Sequence, residues 1–240
     1  ITPDASGKLR LLNECMELEK KALTAFWNLG DKLEYGRTYN QLWDVFWHRH
    51  YRGEDIQVRR NTLVEGIEWG EKAIQALSEI GEQHEKARAC LALARCFYMQ
   101  IDTTIEMPEE QEKNRLKTIR YLTEGLELSE GIGDDTLSGW LHYCLSTAQG
   151  YGERGWKSIE ETLRCVERTR DKLLQGEGLS RLAFLTMWKA LATENPDEKR
   201  KLGEEAMRLY DRAVQHLSTT SFYGYRGGVI APPWGYVEYG

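Results

Sequence analysis

The sequence predicts an all-α chain: one leading helix, four helix pairs in an α-solenoid of repeats, and a short tail of different material. Three observations predict it. The five prolines stand at Pro3, Pro108, Pro196, Pro232 and Pro233, so nothing between residues 4 and 107, or between 109 and 195, forbids helix. Apolar or small residues recur at three- and four-residue steps through 15–26, 67–80, 86–99, 116–129, 158–170 and 199–217, in company with Glu, Lys, Arg, Ala and Leu. The third observation is internal repetition at fixed spacing.

Five of the predicted helices contain two small residues seven apart, each followed by an aliphatic residue or Met. They are Cys15-Met16 with Ala22-Leu23, Gly66-Ile67 with Ala73-Ile74, Thr118-Ile119 with Gly125-Leu126, Ser158-Ile159 with Cys165-Val166, and Ala206-Met207 with Ala213-Val214. Seven residues make two helical turns, so both small residues share one face, where another helix backbone approaches closely. The aliphatic neighbour is expected to fill the core beside it.

Four other helices follow at set distances. From Ala22 to Tyr39, Ala73 to Cys90 and Gly125 to His142 the step is 17 residues, and from Cys165 to Leu179 it is 14. An apolar residue recurs three positions later, at Leu42, Leu93, Leu145 and Leu182, followed by Trp43, Ala94, Ser146 or Ala183. The connections read Leu29-Gly30-Asp31, Ile80-Gly81-Glu82 and Ile132-Gly133-Asp134. Glycine just past a helix predicts a left-handed C-terminal cap, and the acid after it suits the next helix's N-terminus.

This pattern resembles the tetratricopeptide repeat (TPR) family, of the Leu-Gly-Asp-turn kind seen in multidomain signalling proteins. His142, Leu145, Ser146, Ser158 and Cys165 follow the family's register without a gap, and Ala206, Tyr210 and Ala213 match its second helix. The resemblance covers residues 11 to 217. Three pairs exceed the family's length: Tyr39 to Gly66 is 27 residues, Cys90 to Thr118 is 28 and Leu179 to Ala206 is 27, against 16 from His142 to Ser158. The surplus implies either lengthened helices or long tip loops. The leading helix carries the second-helix signature without its first, and the chain opens at Ile1, which together predict a chain excised from, or continuous with, a longer array; the alternative is that the helix is an atypical cap.

The resemblance implies a repeat domain over 1–217 whose first helices line a concave wall. The wall would then hold Arg37, Asn40, Asp44, Trp47 and His48 from the first pair, and Arg88, Leu91, Arg95 and Tyr98 from the second. The third would add Trp140, Tyr143, Thr147 and Tyr151, and the fourth Glu177, Ser180, Phe184 and Trp188. Arg, Trp and Tyr predominate at energetic centres of interfaces. The expected partner-binding residues are therefore Arg37, Asn40, Trp47, Arg88, Arg95, Tyr98, Trp140, Tyr143, Tyr151, Phe184 and Trp188. The three arginines are candidates for holding an acidic group. The family's clamp for C-terminal carboxylates needs Lys and Asn where this chain has Asn40, Asp44 and Ala92, so an adaptor of that type is rejected.

Composition narrows the function further. Among 240 residues, 32 Lys and Arg face 38 Asp and Glu, a net charge of −6 that argues against a general nucleic-acid or anionic-membrane binder. The five cysteines never form C-x-x-C, and their number and helical settings predict small buried thiols in a reducing, cytoplasmic setting. His48 and His50, the one close histidine pair, would point about 200° apart on a helix, so no metal site is expected. The arginines of 48–60 (Arg49, Arg52, Arg59, Arg60) suit a solvated hairpin tip first and a contact with phosphates second. The phosphate-loop, serine-hydrolase and zinc-protease motifs are missing, so no catalytic residue and no cofactor is expected.

The tail, 218–240, holds Phe222, Tyr223, Tyr225, Trp234, Tyr236 and Tyr239 with Arg226 and Glu238 as its charges. Gly227-Gly228 suits a short hairpin turn between 222–226 and 229–231. The tail either caps the last helix or docks into a groove, its own or a partner's. The expected function is a protein–protein interaction scaffold recognising a peptide or protein, within a larger regulatory protein. A ligand-sensing arm of a signal-transduction switch is the second expectation, and a nucleic-acid-binding solenoid the weakest.

Overall fold

A computed structural model of the chain describes residues 5–50, 56–103 and 107–219. Among these residues there are nine α-helices and no strand, so the chain is all-α as expected. The helices are α1 (Ala5–Leu29), α2 (Lys32–His50), α3 (Ile56–Glu79), α4 (Gln83–Thr103), α5 (Pro108–Ile132), α6 (Asp135–Gln149), α7 (Glu153–Thr169), α8 (Lys172–Ala192) and α9 (Pro196–Ser218). The hairpin expected at 222–231, and the rest of the tail beyond Thr219, lie outside the described residues. No described helix is long and apolar enough to cross a membrane.

Among the described residues, the surplus takes the form of longer helices. Helices α6 and α7, on either side of the short connection, have 15 and 17 residues. Their counterparts α2, α4 and α8 run 19, 21 and 21, and α3, α5 and α9 run 24, 25 and 23. Arg59 and Arg60, expected in a solvated tip, therefore belong to the first turns of α3 and are half-buried there.

Three of the turns are built identically. Gly30, Gly81 and Gly133 have φ of 72°, 72° and 73°, the left-handed region that glycine enters without steric penalty. In each, the glycine N–H reaches the carbonyl three residues back, and the next N–H reaches the one five back: Asp31 to Phe26, Glu82 to Leu77 and Asp134 to Ser129, at 2.9–3.0 Å. The acids of two turns then cap the following helix. Asp31 Oδ1 accepts from the Glu34 N–H at 3.1 Å, and Asp134 Oδ1 from the Leu137 N–H at 2.9 Å. The turn between α7 and α8 reaches the same backbone conformation with Arg170, at φ 58°.

The chain divides into two compact units, Ile1–Leu137 and Ser138–Gly240. In the first, α1 packs on α2, α2 on α3 and α4, α3 on α4, and α4 on α5. Its core gathers Met16, Leu23, Tyr39, Leu42, Leu77 and Met99, each at most 2% exposed. Gly70 is what admits Tyr39, because a Cβ there would collide with the Tyr39 hydroxyl. In the second unit α8 packs on both α7 and α9, around Leu179, Ala183, Leu209 and Ala213.

The paired small residues are buried in α3, α5, α7 and α9. Two expectations fail at the terminal helices. In α1, Met16 and Leu23 are buried at 2%, but their small neighbour Cys15 is exposed rather than a buried thiol. In α9 the reverse holds: Ala206 and Ala213 are buried, while Met207 and Val214 are 57% and 46% exposed. A second helix has two packing faces, and each terminal helix has only one of them covered among the described residues.

Candidate functional site

The residues expected to bind a partner fall into the two units, and each group is built differently.

In the first unit, Arg37 and Asn40 lie on α2, and Arg88 on α4. The structure brings all three together around a carboxylate of the chain's own, Glu85, in the first turn of α4. Asn40 donates from Nδ2 to Glu85 Oε2 at 2.8 Å and to the Glu85 carbonyl at 3.1 Å. Arg88 donates from Nη1 to both Glu85 oxygens, at 3.2 and 3.3 Å. Arg37 pairs with Glu85 at 3.7 Å through Nε and hydrogen bonds Glu34 through Nη1 at 2.7 Å. His84 extends the cluster to Asp134, at 3.1 Å.

Asn40 and Glu85 are each 7% exposed, so Asn40 is an internal hydrogen-bonding residue rather than a surface contact. The arginines keep 48% and 44% of their side chains exposed, yet their charge is already matched. Hydrogen bonding to Glu34 raises the Arg37 guanidinium above its ordinary value, so it stays a cation.

Arg95 places its guanidinium over the Trp43 ring, 5.4 Å from the centroid, and is half-buried, as is Tyr98. Trp47 belongs to α2, but its side chain lies outside the described residues, as do those of Asp44, His48, Arg49 and His50.

The second unit holds two aromatic groups. Trp140 stands edge-on to Tyr143, centroids 5.8 Å apart at 85°. The Tyr143 hydroxyl donates to Glu177 Oε2 at 3.1 Å. Burial first, and the Glu177 carboxylate second, push the Tyr143 phenol well above its ordinary value. Glu177, on α8, is 1% exposed, so it belongs to the interior and not to a wall.

The other group is Tyr151, Phe184 and Trp188. Ring centroids lie 4.6 Å apart for Tyr151 and Trp188, 5.7 Å for Tyr151 and Phe184, and 6.3 Å for Phe184 and Trp188. Arg181 covers Phe184 at 5.3 Å. Its guanidinium is tied down by the Ser146 carbonyl at 2.8 Å, the Gly150 carbonyl at 3.3 Å and the Ser146 hydroxyl at 3.3 Å. Even so stacked, Tyr151 and Trp188 remain 47% and 42% exposed.

Sequence reasoning missed Glu85 and Arg181, the two residues that order these groups. Arg88 three residues after Glu85, on the same helix face, is a local signal for the first. Arg181, set beside the repeated Leu182, carries no such signal. No protein-family model matches the chain, and comparison with curated proteins gives no match.

Proposed function

We propose that the chain is a TPR-like α-solenoid of antiparallel helix pairs that serves as a protein–protein interaction scaffold within a larger regulatory protein. The observation that supports this best is the Tyr151–Phe184–Trp188 cluster. Two large aromatic residues are left nearly half exposed although three rings and a guanidinium already hold them in place. Rings fixed beforehand lose little side-chain freedom on binding, and aromatic anchors of this kind carry a large share of interface energy. The partner is a protein or peptide that presents an apolar or aromatic side chain. Its acidic groups contribute less, because Arg37 and Arg88 already serve Glu85 and Arg181 serves backbone carbonyls.

The test is affinity capture followed by quantitative comparison of Trp188→Ala, Tyr151→Ala and Arg88→Ala with the wild-type chain, each checked for unchanged far-UV helicity. The reading expects the two aromatic variants to lose the captured partner and Arg88→Ala to keep it. A partner held equally by all four proteins would overturn this assignment of the surface.

A further inference from the structure

The aromatic group of the second unit belongs to a longer ridge on α8. Arg181, Phe184, Trp188 and Leu191 follow one another at steps of three, four and three, so they share one face. Along that face the surface passes from a tied-down guanidinium to open apolar side chains. Phe184 is half-buried, and Trp188 and Leu191 are 42% and 56% exposed. Tyr151, stacked on Trp188, widens the patch. Because Arg181 already covers Phe184, the surface suits an uncharged apolar or aromatic segment better than a cation.

The chain carries such a segment, and the fold delivers it to the start of α8. Helix α9 ends at Ser218, and its last turns lie against Gly176. A Cβ on Gly176 would collide with the Leu217 side chain and stand 3.3 Å from the Ala213 carbonyl oxygen. Residues 220–240 continue from that end of α9, outside the described residues. From Gly176 to Trp188 is about 18 Å of helix. Trp234 follows Thr219 by 15 residues, which extend to about 50 Å. The reach exceeds the distance with enough slack to pass round α8.

The chemistry matches as well. Residues 229–236 read Val-Ile-Ala-Pro-Pro-Trp-Gly-Tyr, without a charge. Two consecutive prolines fix φ and favour an extended course that loses little chain freedom on docking. Aromatic-lined surfaces are where segments of this kind dock.

We propose that residues 231–236 of the chain's own tail dock on the Tyr151–Phe184–Trp188 surface, with Trp234 against Trp188, so that a partner must displace them. Tethering favours this occupant over an untethered one. A short tether holds its segment at millimolar effective concentration, so even a millimolar intrinsic affinity populates the docked state. The outer face of α9 is nearer to the tail but less suited to it. Its exposed Met207 and Val214 are seven residues apart with exposed Asp211 between them, and form no joined apolar surface. The regulatory consequence rests on the partner-binding reading above, whereas the docking itself does not.

The probe is a synthetic peptide of residues 228–240, titrated against full-length chains labelled with 5-fluorotryptophan and followed by fluorine NMR. Trp188→Phe identifies the Trp188 resonance. In the wild type the tail competes with the peptide. Trp234→Ala is therefore expected to move the Trp188 resonance and to bind the peptide at least threefold more tightly than wild type. Adding Leu191→Glu, at an exposed position, should abolish peptide binding with unchanged far-UV helicity. A Trp188 resonance indifferent to Trp234→Ala would overturn the proposal, as would equal peptide affinities for the two chains. Peptide binding that survives Leu191→Glu would overturn it too, by placing the tail on another face. No partner takes part in these measurements, so the docking can fail while Trp188→Ala still loses its captured protein, and the partner reading can fail while the docking stands.

Discussion

Asn40 and Glu85, 45 residues apart, share two hydrogen bonds in the interior of the first unit. The amide of Asn40 holds both the carboxylate and the backbone carbonyl of Glu85, and thereby locks α2 to the start of α4. Removing the amide leaves a carboxylate that is 7% exposed with fewer donors. Asn40→Ala is therefore expected to cost about 1–3 kcal/mol, whereas Arg37→Ala, which breaks half-exposed, solvent-screened pairs, should cost clearly less. Urea unfolding of the two variants checks the ranking, and equal losses would refute the interior role of Asn40.

The turns offer a paired test. Arg170 holds φ 58° where Gly30, Gly81 and Gly133 hold φ 72–73°. A side chain in the left-handed region costs about 1–2 kcal/mol, and glycine gives some of that back to chain entropy. Arg170→Gly should thus raise stability by about 0.5–1 kcal/mol, and Gly81→Ala should lower it by about 1 kcal/mol. Chemical denaturation midpoints moving in the same direction for both would contradict the shared geometry.

Alkaline pH should weaken the fold through groups that burial keeps protonated. Burial pushes the Cys90 and Cys96 thiols up to about 12, and the Tyr35 phenol likewise to about 12. The Tyr39 and Tyr143 phenols are driven well above their ordinary value, by burial first. Each folded-state value lies above the unfolded one, so the native state retains protons that the unfolded chain releases. Their contribution is complete below about pH 8.5 for the thiols and about pH 10 for the phenols, and is lost as pH climbs towards 12. Urea midpoints at pH 8, 10 and 11.5 should fall in that order. Cys96→Ala should flatten the drop relative to wild type at the same pH values.

The same burial separates the cysteines by reactivity. Cys15 is exposed, Cys144 is half-buried, and Cys90, Cys96 and Cys165 are buried. A thiol reagent applied to the native chain near neutral pH should label Cys15 first, and Cys90 and Cys96 only once the chain unfolds. Peptide mapping after timed labelling reads the order, and early labelling of Cys96 would contradict the placement of α4 in the core.

Local spacing explains why the helices were legible and the candidate site was not. The steps that place Tyr39, Leu42, Leu77 and Leu93 in the core are set within a turn or two of helix, and all four are at most 1% exposed. The Gly-acid connections likewise specify their own backbone bonds. The approach of Arg37 and Asn40 of α2 to Glu85 of α4 depends instead on how α2 and α4 are rotated against each other, which no spacing along the chain encodes. Arginines read as a ligand's counter-ions accordingly turn out to be Glu85's. Exposure has the same origin: Glu177 and Trp188 both belong to α8, but they are 1% and 42% exposed.

Gly155 supplies a case in which composition and packing disagree in sign. In the first turn of α7, alanine would be the better helix former by about 1 kcal/mol. A Cβ at Gly155, however, would fall well inside contact distance of the Gly150 carbonyl oxygen and 3.3 Å from the Ser146 carbonyl oxygen. Those are the two carbonyls that hold Arg181. Backbone atoms cannot swing aside as a side chain does, so Gly155→Ala must displace the connection between α6 and α7 and loosen the guanidinium that covers Phe184. A loss of about 1–3 kcal/mol is expected, together with a change in Trp188 fluorescence as the Tyr151–Phe184–Trp188 group loses its support. A variant as stable as wild type, with its tryptophan emission unmoved, would show that the connection yields freely and that Arg181 does not order the cluster.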